Sequence, residues 1–115
     1  MEKNVKVSIL CQIYGKLLTK KQFEIITDYY DNDLSLSEIA ENNQITRQAV
    51  RDIIKKSEKK LYELEEELSF MEKQINYEKK INCIIEKIVQ IQKEEINLRN
   101  KENLEKIKEE LKSLV

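Results

Sequence analysis

Between Thr46 and Lys60 the chain carries six basic residues and two acidic ones, although its net charge is −1. Arg47, Gln48, Arg51, Lys55 and Lys56 lie in this stretch, and their side chains have the chemistry to read and hold duplex DNA. A guanidinium can grip guanine O6 and N7 with two parallel hydrogen bonds, and a carboxamide can pair with adenine N6 and N7. Lysines can meet phosphates without regard to sequence. Thr46 is a good helix N-cap, and the positive end of the helix that it opens also favours an anion. From that cap Arg47 and Gln48 project in the first turn, while Arg51 and Lys55 follow on one exposed ridge in steps of four. Charge alone would equally describe a solvated helix face. A nearly neutral chain excludes a polycation that coats nucleic acid indiscriminately.

The residues before Thr46 supply the frame that such a ridge needs. Ile39 and Ala40 are followed by Ile45, Val50 and Ile53, the apolar skeleton of a helix-turn-helix. A small residue at Ala40 lets the second helix cross the first closely, Ile45 plugs the turn, and Val50 and Ile53 pack beneath. Ser35 with Glu38 three residues later is a capping box that opens the first of these two helices. The position four residues after Ala40, often glycine because the turn there is left-handed, is Gln44. Asn43 tolerates that conformation better, so the turn is expected to be redrawn by one residue. Trihelical units of this kind bind DNA, and they also serve as protein-docking modules.

One glycine and no proline among 115 residues leave little material for hairpins or phosphate loops, and the fold class is all-α. Val5, Ile9 and Ile13 with Leu10, Tyr14 and Leu17 predict a helix over about 4–17. Thr19 caps a second, striped by Phe23, Ile26 and Tyr30, which Asp31-Asn32-Asp33 ends. The helix opened by Thr46 is expected to run without a breaker well past Leu61. Ile54, Leu61, Leu68 and Ile75 lie seven apart, with Leu64 and Met71 between them, as in a coiled-coil seam. The phase then slips to Tyr77, Ile81, Ile84, Ile88 and Ile91, as a stutter or a chain reversal would produce. Asn97–Asn103 is the expected break before a short last helix carrying Leu104, Ile107, Leu111 and Leu114. This organisation predicts a helix-turn-helix domain over 1–60 and a helical, coiled-coil-like tail over 61–115. That tail must fold back, pair in a hairpin or dimerise, and a homodimer is the expectation because so long a seam exceeds what short helices can cover.

Other chemistry finds no footing in the residue pattern. The carboxylates lie among lysines at salt-bridge spacing, and no nucleophile, base and orienting group come together, so no enzyme and no catalytic residue are expected. With no histidine and no C-x-x-C spacing, neither a metal site nor a cofactor is expected. Cys11 and Cys83, each with apolar residues close by in the sequence, read as buried free thiols of a reducing cytosol. No run of apolar residues is long enough to span a membrane, and the first residues lack a signal peptide's apolar core, so a cytoplasmic protein is expected.

Three blocks carry a family resemblance: Tyr14-Gly-Lys-Leu-Leu-Thr-Lys-Lys-Gln22, Leu34-Ser-Leu-Ser-Glu-Ile-Ala-Glu41 and Ile45-Thr-Arg-Gln-Ala-Val-Arg-Asp-Ile-Ile-Lys55. Over residues 3–64 the chain resembles the YlxM-like (UPF0122-type) family, small proteins with a helix-turn-helix like that of sigma-factor region 4. The resemblance implies a DNA-binding regulatory protein of Gram-positive bacteria that takes part in the signal recognition particle pathway, since the family's genes neighbour that of the particle's GTPase. It equally allows an accessory that binds this GTPase or its RNA and has no DNA role. By the family's motif Thr46, Arg47, Gln48 and Arg51 begin the recognition helix. Arg51 stands where the family often has an aromatic residue, so a shared DNA sequence preference is not carried over.

Overall fold

Hydroxyl and amide side chains start most of the helices in this chain. In the computed structural model, which describes residues 1–95 and 97–115, the order is α1 (Lys3–Tyr14), one 3-10 turn (Gly15–Leu17), α2 (Lys20–Tyr30), α3 (Leu36–Asn43), α4 (Arg47–Leu68), α5 (Phe70–Glu94) and α6 (Leu98–Lys112). The fold is all-α, as the composition predicts. The Thr19 hydroxyl accepts the Gln22 N–H at 3.1 Å, and the Gln22 side chain accepts from the Thr19 N–H at 3.0 Å. Ser35 and Glu38 make the same reciprocal pair at 3.1 and 3.2 Å. Each box satisfies donors that a helix start would otherwise leave open.

The chain forms two compact units, Met1–Met71 and Glu72–Val115. In the first, α1, α2 and α3 all pack on α4. Val50, Ile54, Ser57 and Leu61 form the buried stripe of α4. Ile25, Ile39 and Ala40 close over its first half, and Val7, Leu10, Cys11 and Tyr14 are the buried residues of α1. Ser57 is fully buried, with its hydroxyl donating to the Ile53 carbonyl at 2.7 Å. Gly15 has no room for a side chain, because a Cβ there would lie 2.6 Å from Cε2 of Phe23.

The expected coiled-coil seam is divided differently. Ile54, Leu61 and Met71 are core residues of the first unit and offer nothing to a second copy. That unit therefore extends beyond Lys60, because the buried stripe of α4 continues to Leu61. The helix end comes before the expected phase slip: α4 stops at Leu68, where Ser69 takes the left-handed conformation with φ 56°, whereas Ile75 and Tyr77 both lie within α5.

Tyr14 secures the junction that follows. The residue is 1% exposed, and its hydroxyl donates to Oε1 of Glu65 at 2.7 Å and accepts the Phe70 N–H at 3.2 Å. The same Glu65 oxygen accepts the Met71 N–H at 2.9 Å, so one tyrosine and one carboxylate cap the start of α5.

In the second unit α6 turns back along α5. The Gln92 amide donates to the Lys101 carbonyl at 3.3 Å and to Glu105 at 3.1 Å. Ile81 and Ile88 of α5 are buried, and Leu104, Lys108 and Leu111 of α6 are half-buried. This is the hairpin among the sequence alternatives. The break before α6 precedes the expected one: Asn97 is the cap of α6, accepting from the Arg99 and Asn100 N–H groups, while Asn100 and Asn103 lie inside the helix. Among the described residues no helix is long and apolar enough to cross a membrane.

Cys11 is buried, but Cys83 is exposed, which corrects the expectation for that thiol. The buried Ile81 is about 160° away around the helix, and the adjacent Asn82 and Ile84 are themselves exposed, so Cys83 lies off the covered face. Burial, with the charge of Asp31 adding to it, pushes the Cys11 thiol up to about 11 from its ordinary 9.0. A raised acid pKa favours the protonated form in the fold, so this contribution to stability is complete below pH 9 and is lost as the pH rises through 11. Tyr14 and Tyr30 are shifted in the same direction, first by burial and then by Glu65 and Glu58 respectively. Urea unfolding should therefore show wild type losing more stability than Cys11→Ala between pH 8 and pH 10.5, and equal losses would refute this role. Tyr14→Phe should cost about 1–3 kcal/mol at neutral pH by removing the hydroxyl's bonds to Glu65 and to the Phe70 N–H from a buried position.

Candidate nucleic-acid interface

The turn between α3 and α4 is held by backbone bonds that a left-handed residue makes possible. Gln44 has φ 56° and ψ 42°. Its N–H donates to the Glu41 carbonyl at 3.2 Å, and the Ile45 N–H donates to the Ala40 carbonyl at 3.0 Å. This pair of bonds is a Schellman motif, in which an apolar residue just beyond the left-handed one packs back on the helix. Ile45, half-buried, does so against the cluster of Ile39, Ala40, Val50 and Ile54. The turn is thus not redrawn. The left-handed residue is Gln44, and Asn43 stays helical with its side-chain amide donating to the Ile39 carbonyl at 2.8 Å. Val50 is fully buried as expected, and Ile53 packs partly buried against the cluster, while Ile54 lies deeper than the spacing suggested.

Across this turn the Thr46 hydroxyl accepts the Ala49 N–H at 3.0 Å, which starts α4. Thr46, Arg47, Gln48, Arg51, Lys55 and Lys56 are all exposed. The ridge contains Arg47, Arg51 and Lys55, with Gln48 beside it. The Gln48 amide donates to Oδ1 of Asp52 at 3.0 Å, so the one acidic side chain near the ridge also orients its carboxamide. Lys56 does not join this group. One residue past Lys55, it is turned by about 100° and lines a shallow groove with Lys59, Lys60, Glu63, Leu64 and Glu67.

The second acidic residue of the segment is withdrawn from the ridge. Glu58 accepts a hydrogen bond from the Tyr30 hydroxyl and an ion pair from Lys3 at 3.4 Å, with its side chain 14% exposed. The positive character at the start of α4 is therefore greater than the local count of charges suggests. The pairing of Gln48 with Asp52 is readable from their spacing of four residues. The fate of Glu58 is not, because Tyr30 is remote in sequence.

The family model of UPF0122, described as "Putative helix-turn-helix protein, YlxM / p13 like", matches residues 1–112. A UPF0122 protein of Clostridium botulinum (strain Alaska E43 / Type E3) is 40% identical over 114 residues, which cover 99% of this chain and 100% of its own. One from Clostridium kluyveri (strain ATCC 8527) is 44% identical over 108 residues, 94% of each chain. Another, from Fusobacterium nucleatum subsp. nucleatum, is 42% identical over 114 residues, 96% of this chain and 97% of its own.

A left-handed glutamine stores strain that glycine would not. Gln44→Gly should raise stability by about 0.5–1 kcal/mol in urea unfolding, whereas a loss would mean that the Gln44 side chain makes a contact worth more than the strain.

Proposed function

This chain belongs to the UPF0122 family of YlxM/p13-like helix-turn-helix proteins, and from that premise we propose that it binds double-stranded DNA as a regulatory protein. The observation that carries the reading is the exposed ridge at the start of α4, which follows the turn and has Glu58 folded away from it. With the first turn of α4 in the major groove, Arg47 and Gln48 meet base edges. Donation to Asp52 uses one N–H of Gln48, so its other N–H and its carbonyl oxygen are left to address adenine. Thr46, Arg51 and Lys55 are placed for phosphates near the groove. Lys56 is a flanking phosphate contact at most in this arrangement, given its turn away from the ridge.

A second reading is an accessory that binds the GTPase or the RNA of the signal recognition particle. It is supported by the family resemblance and by the acidic stretch of α4 beyond the ridge, Glu63 and Glu65-Glu66-Glu67. The two readings differ in what they ask of Arg47. Fluorescence anisotropy of labelled duplexes, including the DNA upstream of the protein's own gene, titrated at about 50 and 200 mM salt, should show binding that falls steeply with salt. Arg47→Ala should then weaken binding to the preferred duplex by about 1–3 kcal/mol, whereas Lys55→Ala should weaken all duplexes alike. An unchanged affinity for Arg47→Ala would end its base-reading role. Absence of binding at both salts, together with retention of the particle's GTPase or RNA by wild type and by Arg47→Ala, would replace the first reading with the second.

A further inference from the structure

The hairpin buries Ile81 and Ile88 of α5, half-buries Leu104, Lys108 and Leu111 of α6, and leaves further apolar residues of both exposed along a second line. On α5 this stripe is Tyr77, Ile84 and Ile91, seven residues apart and 58%, 42% and 50% exposed. On α6 it is Ile107, 44% exposed, continued seven residues on by Leu114, 71% exposed, in the turn that follows the helix. Each stripe begins at the same angular offset from the contact face: Ile84 lies three residues beyond the buried Ile81, and Ile107 three beyond the half-buried Leu104. In two helices that run in opposite directions, equal offsets bring both stripes to the same side of the hairpin. The result is one continuous apolar face, larger than scattered surface residues would give.

The charges beside the stripes identify what covers them. Lys80 stands between Tyr77 and Ile84, and Lys87 between Ile84 and Ile91, three or four residues from each, so the margin of the α5 stripe is basic there. Glu110 of α6 is three residues from Ile107 and four from Leu114, so it stands beside both. We propose that this face is the interface with a second copy of the chain, two hairpins closing into a four-helix bundle in which α5 of each copy lies on α6 of the other. That arrangement sets the lysine margin against the glutamate margin, whereas α5 on α5 would set like charges together. Five side chains of this size, about half exposed, with the stems of the flanking lysines, offer on the order of 700 Å² per copy, close to the ~800 Å² per partner of a stable interface. The inference is independent of whether the ridge on α4 binds DNA.

The test is the mass of the full-length protein by light scattering and sedimentation across about 1–100 µM, where a dimer is expected. Ile84→Lys, at a half-exposed position that the monomer tolerates, should keep its helical circular dichroism and raise the dimer dissociation constant about tenfold or more. Lys87→Glu alone and Glu110→Lys alone should each weaken the dimer, and the double exchange should restore it. A monomer throughout the range would overturn the proposal, as would a dimer indifferent to Ile84→Lys. Charge exchange without rescue would overturn the pairing of α5 with α6. A wild-type monomer whose hairpin instead retains the particle's GTPase would assign the face to another protein.

Discussion

The apolar stripe of α4 is the constraint on which the first unit depends. Val50, Ile54, Ser57 and Leu61 present one continuous line on a 22-residue helix, and α1, α2 and α3 each find their packing partner there. No pair of the shorter helices could make a comparable core by itself. Because the stripe occupies one side of α4 from near its start, the opposite side must face water for the whole length of the packed segment. The basic ridge lies on the flank of α4 about 90° around the helix from the stripe, and it too is left to water. Core and candidate interface are thus two consequences of one helix periodicity, and the buried stripe sets the direction in which Arg47, Arg51 and Lys55 face.

Polar groups then decide where the stripe ends and where the next helix starts. Tyr14 comes from α1, far from the α4–α5 junction in sequence, yet its hydroxyl and the Glu65 carboxylate together take up the first N–H groups of α5. Ser69 in its left-handed conformation ends α4 there. A comparable arrangement acts on the electrostatics of the ridge. Tyr30 and Lys3 hold Glu58 away from the ridge, and Gln48 engages Asp52. Both acidic residues within the basic segment are therefore occupied, one against the core and one in orienting a neighbouring amide.

Local chemistry was the most legible part of the chain. The caps at Thr19, Ser35 and Thr46 act over three residues, and sequence spacing describes such an interaction almost completely. The skeleton of Ala40, Ile45 and Val50 was legible for the same reason, as the helix-turn-helix is itself a local motif. Gln44 shows the limit of residue preference. Asn43 is the better left-handed residue, but the pair of bonds to Glu41 and Ala40 needs that conformation one position later, and this pairing outweighs the preference. Cys83 shows another limit, since apolar neighbours in sequence are not neighbours on a helix surface.

By itself the sequence determined that the chain is helical, where its first helices begin, that a helix-turn-helix lies in its N-terminal half and which basic residues follow the turn. Caps, helical period and charge act between residues at most a few turns apart, so they are written in the order of the residues. Tertiary structure alone decided that Ile54, Leu61 and Met71 serve the core of the first unit, that α4 ends at Leu68, and that Glu58 leaves the ridge. It also decided which apolar stripe of the tail stays exposed. These outcomes depend on competition among distant groups for the same apolar and hydrogen-bonding partners. A seven-residue repeat states only that a face must be covered, and the partner that covers it is selected by the packing of the whole chain.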